Sequence, residues 1–314
     1  AAIALTAHCT AAPVAPGLSQ AELALVLDDL PASALLVQRG APNGGALAVA
    51  RAHKLPVLEL APNRRVAGSF ELAWLERALP PLAAAEPDLA AEARRSTVAL
   101  ALHTSGSTAR PKLVALSHAN LGAGALSVGA VLGLAPSDVC VNVMPLFHIH
   151  AIGACALASL FAGASVVAAP GMDAGRFFHW SDAHRATWYS ATPTVHLKLA
   201  AAAEEAALAR RAPAQRQHTL RLARNCSAAL LPSVAERLEA ALGVTALATY
   251  AMTESLPIAS NSPAERVLET VGPSSGPQIA VARPDGAPGR SRLGVLCRVG
   301  EEGEVLVRGP CVVS

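Results

Sequence analysis

The sequence predicts an α/β fold with mainly parallel sheets and a β-rich subdomain near the C-terminus. Short apolar segments alternate with amphipathic ones along most of the chain, which is typical of parallel strands joined by helices. One of these apolar segments, at 97–102, continues directly into a polar loop. After residue 263, Gly- and Pro-rich turns separate short strand-like segments, which is typical of antiparallel β structure.

The first 95 residues have the pattern of repeated α/β units. Ser19 and Glu22 have the spacing of a capping box, which predicts that a helix begins there. The elements predicted in this part are a helix over 21–30, strands over 34–37 and 53–59, a short helix over 70–79, and a Pro- and Ala-rich connector over 80–95.

Residues 96–262 continue the alternation, and residues 263–314 change it. Strands are predicted over 97–102, 139–144, 186–190, 220–225 and 244–248, with a helix over 232–242 that has Pro in its first turn. The last part contains predicted strands over 278–282 and 303–307. We therefore expect three parts: a first α/β part (1–95), a second α/β part with the site motifs (96–262) and a β-rich subdomain (263–314).

Composition excludes several classes of protein. Hydrophobic residues make up 52% of the 314 residues and charged residues 15%, so the chain is not intrinsically disordered. The net charge of +2 gives no broad basic field for nucleic acid, and 3% aromatic residues argue against base stacking. The six cysteines form no C-x-x-C pair, which argues against a structural zinc site and against a dense disulfide framework. We therefore expect a reducing compartment.

The segment 151–172 has no charged residue and is long enough to cross a membrane. Gly163 interrupts it, and a β-branched run follows, so we expect a buried helix to about Phe161 and then a buried strand. No basic stretch precedes an apolar run of the kind found in signal peptides. We expect a cytoplasmic protein without a membrane span, and a peroxisomal location stays open.

The loop from His103 to Lys112 carries the strongest chemical signal. It places four hydroxyl groups, a glycine and a lysine directly after a buried strand, a combination suited to polyphosphate oxygens. It is not a Walker A loop, because Pro111 occupies the position of the second glycine. Taken alone, the loop is equally typical of a solvated Ser/Thr segment.

Six segments in this order resemble the motifs of the adenylate-forming superfamily, which includes acyl-CoA synthetases. They are 103–112, Pro145–His148, Tyr189–Thr194, Cys226–Leu230, Tyr250–Glu254 and Gly303–Pro310. Within the superfamily the chain is similar to the oxalate–CoA ligase group, which is related to peroxisomal CoA synthetases. That similarity is carried by Pro145–His150, Trp188–His196, Arg224–Leu231 and Tyr250–Glu254. The resemblance implies a large N-terminal AMP-binding domain, here incomplete and without the family's small C-terminal lid domain.

The resemblance also implies a role for each motif. The phosphates of ATP would be held by Thr104, Ser105, Gly106, Ser107, Thr108 and Lys112. The adenine pocket would be lined by Ser227, Ala228, Ala229, Thr249 and Tyr250. Thr253 would bond the α-phosphate, Glu254 would hold Mg²⁺, and His148 would orient the acid; with Lys112 these form the expected catalytic set. Ala109 and Leu113 stand where the family usually has glycine.

The implied reaction is that of an ATP-dependent carboxylate–CoA ligase. Its requirements are ATP, Mg²⁺, CoA and a small carboxylic acid, with no nucleic acid partner. A small dicarboxylic acid such as oxalate, a fatty acid and an aryl acid all remain open, because Ser255–Ile258 replaces a His-Gln pair usual in the oxalate group. The alternatives are a catalytically incompetent nucleotide-binding remnant or a partner-dependent module, and the chain alone is not expected to be fully active.

Overall fold

A computed structural model gives the fold and describes residues 2–63, 65–66, 68–76, 97–104, 112–210, 218–283 and 295–313. The contacts between residues divide the chain into two units. The first consists of residues 1–94 and 99–113, and the second of residues 95–98 and 114–314.

The first unit contains a three-stranded sheet. After helix α1 (Ala2–Leu5), helix α2 (Gln20–Asp29) begins at the predicted capping box, in which Ser19 and Glu22 each accept a hydrogen bond from the other's backbone N–H. Strands β1 (Leu35–Gln38) and β2 (Val57–Pro62) pair in parallel and are connected by helix α3 (Gly44–Ala52).

A helix was predicted over 70–79, and this prediction is wrong for residues 70–76. They form strand β3 (Phe70–Glu76), which pairs antiparallel with β2. The spacing of its apolar residues fits the 3.6-residue period of a helix as well as the two-residue period of a strand. The connection to β2 decides between the two. The Asn63 N–H donates to the Ser69 carbonyl at 3.0 Å, and Gly68 has φ +77°, so the chain reverses and lies against β2. Residues 77–79 and the connector over 80–95 lie outside the described residues.

Strand β4 (Val98–Thr104) pairs with strand β5 (Lys112–Ser117) in a two-stranded sheet. Residues 99–102 of β4 are buried, as predicted for this strand.

The second unit is built on a six-stranded sheet of order β11-β10-β9-β8-β6-β7. The strands are β6 (Val139–Asn142), β7 (Ser165–Ala168), β8 (Trp188–Ala191), β9 (Leu222–Asn225), β10 (Thr245–Met252) and β11 (Ser255–Ser260). The first five are parallel, and β11 returns antiparallel to β10. The strands predicted from the apolar runs are thus present, with ends shifted by up to four residues.

Helices cover both faces of this sheet. They are α4 (His118–Leu132), the π-helix His150–Leu157, α5 (Ala158–Phe161), α6 (Ala174–Ala183), α7 (Pro193–Arg210) and α8 (Pro232–Leu242). The uncharged segment therefore contains a buried helix, as predicted, because residues 150–156 are all buried. The strand that follows it, β7, lies at the sheet edge and is only partly buried, which corrects the expectation of a buried strand.

Side chains of β8 and β9 alternate between the two faces of the sheet, so neighbouring residues lie in different environments. Tyr189 and Ala223 belong to the hydrophobic core that also contains Phe177, Leu199 and Leu238 of α6, α7 and α8. Their neighbours Ser190 and Arg224 point to the opposite face, where Ser190 contacts His150 of the π-helix. Polar groups of the second face are thus buried beneath the π-helix.

The β-rich end contains strands β12 (Gln278–Ala282) and β13 (Glu304–Arg308), which pair antiparallel. Both were predicted from the sequence. Among the described helices, none has the length and apolar character needed to cross a membrane.

Candidate functional site

Most of the predicted site residues of the second unit lie at or beyond the carboxyl ends of its parallel strands. Strand pairing places Ala191, Asn225 and Ala248 side by side at the ends of the paired regions of β8, β9 and β10. The motif that contains His148 follows β6, the motif that contains Ser227 follows β9, and Tyr250 lies beyond Ala248. Ligands of open parallel sheets bind at this edge.

The turn after β9 is held in a strained conformation. Ser227 has φ +72°, which a residue with a side chain rarely adopts. The Asn225 side-chain amide donates to the Ala228 carbonyl at 2.7 Å and closes the turn. Ser227, Ala228 and Ala229 are all exposed at this point, so the turn presents a small, accessible surface. Strain kept in an exposed turn is typical of functional sites.

His150 lies directly beneath this turn. It is buried, its Nε2 is 2.6 Å from Ser190 Oγ, and its Nδ1 is 3.3 Å from Ser227 Oγ. Burial, followed by the neighbouring charges of Arg224, His196 and His148, lowers the pKa of His150 from 6.5 to about 3. The imidazole is therefore neutral at physiological pH, with one ring nitrogen protonated and the other free to accept.

Arg224 completes this buried group. Its side chain is 1% exposed, and Nη1 donates to Ser190 Oγ at 3.1 Å. Within the part of the chain that the structure describes, Arg224 belongs to none of the ion pairs, and its Nη2 has no hydrogen-bond partner. No role was predicted from the sequence for Ser190, His150 or Arg224. The available signal was a charged residue inside an apolar strand, which is rare without a specific reason.

The predicted acid-orienting residue, His148, is exposed and does not join this buried group. Its ring centroid is 4.4 Å from that of Phe147, and partial burial lowers the pKa of His148 below its ordinary value. A pKa below the ordinary 6.5 favours the neutral imidazole at pH 7, and the ring lies at the surface.

Strand β10 and the turn after it hold four other predicted residues. Thr249 is buried, and its hydroxyl forms a hydrogen bond with Ser260 Oγ at 2.9 Å. This hydroxyl thus has its partner on the neighbouring strand β11. Tyr250 is 42% exposed. Thr253 and Glu254 form the two-residue turn between β10 and β11, and both are half-buried.

The Glu254 backbone is fixed by the last described residues of the chain. Its carbonyl accepts a hydrogen bond from the Val313 N–H at 2.8 Å. Among the described residues, no cluster of three or more His, Cys, Asp or Glu side chains could hold a metal. A single carboxylate is nevertheless enough for Mg²⁺ when phosphate oxygens supply further ligands, so Glu254 fits that role.

In the first unit, the structure describes only the two ends of the phosphate-type loop. Thr104 is the last residue of β4, and its hydroxyl is 3.5 Å from the carbonyl of Lys112, the first residue of β5. Lys112 and Leu113 are exposed. The other predicted loop residues, which are Ser105, Gly106, Ser107, Thr108 and Ala109, lie outside the described residues.

Comparison with known proteins gives a consistent result. A family model described as "AMP-binding enzyme" matches residues 4–314. An oxalate–CoA ligase of Arabidopsis thaliana is 34% identical over 99% of this chain, which covers 58% of that protein. The chain thus spans little more than half of this curated relative.

Two solved structures have the same fold. The ATP-bound MatB from Rhodopseudomonas palustris is 25% identical, with a TM-score of 0.73, over 96% of this chain and 55% of that one. A malonyl-CoA ligase ternary product complex with methylmalonyl-CoA and AMP is 26% identical, with a TM-score of 0.71, over 99% of this chain and 59% of that one.

Proposed function

Because the chain belongs to the AMP-binding enzyme family, we propose that it carries the nucleotide-binding and acid-binding part of an AMP-forming carboxylate–CoA ligase. The expected fold, the N-terminal domain of adenylate-forming enzymes, is confirmed by the solved structures that match nearly the whole chain. The expected similarity to oxalate–CoA ligases is confirmed as well. The activity itself is the proposal.

The observation that carries the proposal is the position of the Tyr250–Glu254 segment. It extends from the carboxyl end of a parallel strand into a turn that leaves Tyr250 exposed and the Glu254 carboxylate half-buried. An aromatic face and a hard oxygen ligand at this edge suit a purine base and a magnesium-bound phosphate. The relatives named above support the same interpretation, since one of these solved structures has ATP bound and another AMP.

We propose two chemical steps. A carboxylate oxygen of the acid attacks the α-phosphorus of ATP, the bond to the β-phosphate oxygen breaks, and an acyl-adenylate and pyrophosphate form. The CoA thiolate then attacks the acyl carbon and displaces AMP, giving a thioester. Both steps depend on orientation and charge stabilisation more than on covalent chemistry by the protein.

Individual residues would contribute as follows. Thr104, Lys112 and the loop hydroxyls between them would hold the β- and γ-phosphates, and Thr253 would donate to the α-phosphate. Glu254 would hold Mg²⁺, which when bound neutralises charge on the phosphate oxygens. His148, whose pKa partial burial lowers, would orient the incoming carboxylate.

A small dicarboxylic acid is the proposed substrate, with fatty and aryl acids as the alternatives. It is supported by the relatives, one described as an oxalate–CoA ligase and one as a malonyl-CoA ligase bound to methylmalonyl-CoA. A second candidate function is binding of nucleotide without catalysis. The exposed Leu113 beside Lys112 favours it, because an apolar side chain there adds bulk next to the proposed phosphate site.

Two measurements separate these functions. Calorimetric titration with MgATP tests nucleotide binding, and carboxylate-dependent exchange of pyrophosphate into ATP tests adenylate formation. Glu254→Gln and Lys112→Ala should each weaken MgATP binding about tenfold or more, since each removes a charge-assisted contact. The exposed Glu205 and Lys198 on α7 supply matched controls, Glu205→Gln and Lys198→Ala, which should bind like the parent chain. Binding without exchange supports the second function, and no binding of MgATP contradicts both.

A further inference from the structure

The first turn of helix α4 is hydrogen-bonded to a segment that lies far away in the sequence. The side-chain amide of Asn120 donates to the Pro310 carbonyl at 3.0 Å and to the Val312 carbonyl at 2.9 Å, which are 190 and 192 positions away in the chain. We call residues 309–313, to which both carbonyls belong, the strap. A single side chain of α4 thus makes two hydrogen bonds to the strap.

The other end of the same amide group is bonded at the start of the helix. Asn120 Oδ1 accepts from the Ser117 N–H at 3.0 Å and from the Ser117 hydroxyl at 2.7 Å, and the Asn120 N–H donates to that hydroxyl at 3.1 Å. Exchanging the oxygen and nitrogen of the amide would set an oxygen against two carbonyls and an NH₂ group against the Ser117 N–H, so its orientation is determined. Asn120 therefore caps α4 and binds the strap with one fully used amide.

The opposite side of the strap contacts the turn after β10 and the first residue of β11. The Val313 N–H donates to the Glu254 carbonyl at 2.8 Å, and Val312 pairs antiparallel with Ser255. Cys311, which precedes them, is 2% exposed, so the contact excludes water. The strap is thus bound on two sides, by α4 on one and by the Glu254 turn on the other.

Regular strand pairing does not continue unbroken to the turn that carries Glu254. Strands β10 and β11 pair at Tyr250 with Ala259, but the register shifts before Met252 pairs with Ser255. An irregularity of this kind locally disrupts the ladder of hydrogen bonds. The bond from the strap to the Glu254 carbonyl therefore supports the turn from outside the hairpin.

We propose that Asn120 is a positioning residue for Glu254 and acts on it through the strap. By binding the strap, Asn120 fixes the backbone of Glu254 and keeps its carboxylate in place for Mg²⁺ and the phosphates of ATP. The inference rests on the proposed function, because it concerns the orientation of the proposed magnesium ligand. Mg²⁺ demands near-ideal geometry, so a loosened turn should weaken metal-dependent binding.

Asn120→Asp separates the two contacts of this side chain. The new carboxylate still accepts from Ser117, and an acidic group suits the first turn of a helix, but it has no N–H for the strap carbonyls. Asn43→Asp is the matched control, because Asn43 stands at the start of α3 and its amide donates to the Gln38 carbonyl at 2.7 Å. The control loses a similar hydrogen bond within the first unit.

The first measurement uses the 314-residue chain without any ligand. Amide hydrogen exchange, followed by NMR, reports on the Val313 N–H that bonds the Glu254 carbonyl. We expect exchange at Val313 to be about tenfold faster or more in Asn120→Asp and unchanged in Asn43→Asp. Unchanged exchange at Val313 in Asn120→Asp would overturn the proposal.

The second measurement is calorimetric titration with MgATP. We expect Asn120→Asp to weaken MgATP binding about tenfold and to leave binding of AMP in EDTA unchanged, since only the first depends on the metal. Asn120→Asp should cause no further loss in a Glu254→Gln chain, because the carboxylate that it positions is absent there. An equal loss in both backgrounds, or an equal loss for AMP, would show general destabilisation and contradict the positioning role.

Val313→Pro disrupts the strap from its other side. It removes the N–H that bonds the Glu254 carbonyl and leaves the cap of α4 intact. It should weaken MgATP binding as Asn120→Asp does, so the proposal stays testable if Asn120→Asp does not fold. Parent-like MgATP binding in a folded Val313→Pro chain would refute it.

Failure of this inference and failure of the proposed function give different results. If Glu254→Gln weakens MgATP binding but Asn120→Asp does not, the proposed function stands and the positioning role falls. If the parent chain binds no MgATP, both fall together.

Discussion

Gly124 of α4 and Leu256 of β11 are in direct backbone contact. A Cβ atom added to Gly124 would lie 2.4 Å from the Leu256 carbonyl oxygen, a distance that no ordinary contact reaches. The absence of a side chain at this position lets α4 lie close against the edge strand of the six-stranded sheet.

Gly124→Ala should therefore destabilise the protein, although alanine is the better helix former. The helical preference gains about 1 kcal/mol, while the displaced strand costs about 1–3 kcal/mol, so the net effect is a loss. Gly129→Ala on the same helix is the matched control, because its Cβ would meet its nearest neighbour at an ordinary 3.7 Å. Urea unfolding midpoints should fall for Gly124→Ala and hold or rise for Gly129→Ala. Equal midpoints would show that the close approach is unimportant.

The ion pair between Asp138 and Arg221 predicts a loss of stability in acid. Burial raises the pKa of Asp138, but the hydrogen bonds from Arg221 (2.8 Å) and Thr187 outweigh it, so the pKa lies below the ordinary 3.8. A lowered carboxyl pKa stabilises the fold above the unfolded-state value, and that stability is lost as pH falls through the folded-state value.

Asp138→Asn should remove this acid dependence and destabilise the protein near neutral pH by about 1–3 kcal/mol. Denaturant midpoints measured between pH 3 and pH 6 provide the test. Asp29→Asn, at the exposed end of α2, should behave like the parent chain. An unchanged slope below pH 4 in Asp138→Asn would contradict the assignment.

His150 gives a second pH effect, which extends to higher pH than that of Asp138. Its folded-state pKa of about 3 is far below 6.5, so the unfolded chain binds a proton that the folded chain does not. Stability should therefore rise with pH between about 3 and 6.5, by up to about 1.4 kcal/mol per pH unit from this group. The charged and titratable groups facing it are Arg224, His196 and His148.

The slope of unfolding free energy between pH 5 and pH 6.5 isolates this effect, because Asp138 stays ionised in that range. His150→Gln should reduce the slope, leaving the contribution of the other buried imidazole, His196, whose pKa burial lowers to about 4. His184→Gln, at the exposed end of α6, should leave the slope as it is. A slope that His150→Gln does not change would place the titrating group elsewhere.

The φ of +72° at Ser227 predicts that two variants lacking the hydroxyl will differ in stability. Ser227→Gly relieves the backbone conformation, whereas Ser227→Ala keeps its cost, so the glycine variant should be more stable by about 1 kcal/mol. Thermal unfolding of the two chains measures this difference directly. Equal stability would mean that the turn relaxes without cost.

The sequence located most of the sheet because buried strands are short apolar runs bounded by turn residues, as at 220–225 and 244–248. It failed at 70–76, where the apolar spacing fits a helix as well as a strand and a reversal through Gly68 brings the segment against β2. It also predicted that β7 is buried, because the hydrophobicity of a segment does not indicate which strand lies at the edge of a sheet.

The motif residues of the candidate site were predicted by resemblance, whereas the buried residues beneath them were not predicted. Ser190 and Arg224 are brought to His150 by the pairing of β8 with β9 and by the position of the π-helix. The three residues are separated by 34 to 74 positions in the chain, and no local pattern connects them. Such contacts depend on tertiary structure alone.

Strand β10 pairs with β9 over Thr245–Ala248 and continues beyond that pairing as a hairpin with β11. Tyr250, proposed to face the base, and Glu254, proposed to hold the metal, thus belong to the same hairpin. We expect that a ligand group that orders one end of this hairpin also partly orders the other. The energetic effects of Tyr250→Ala and Glu254→Gln on MgATP binding should therefore not be additive, and the nucleotide's base and phosphates would bind this protein cooperatively.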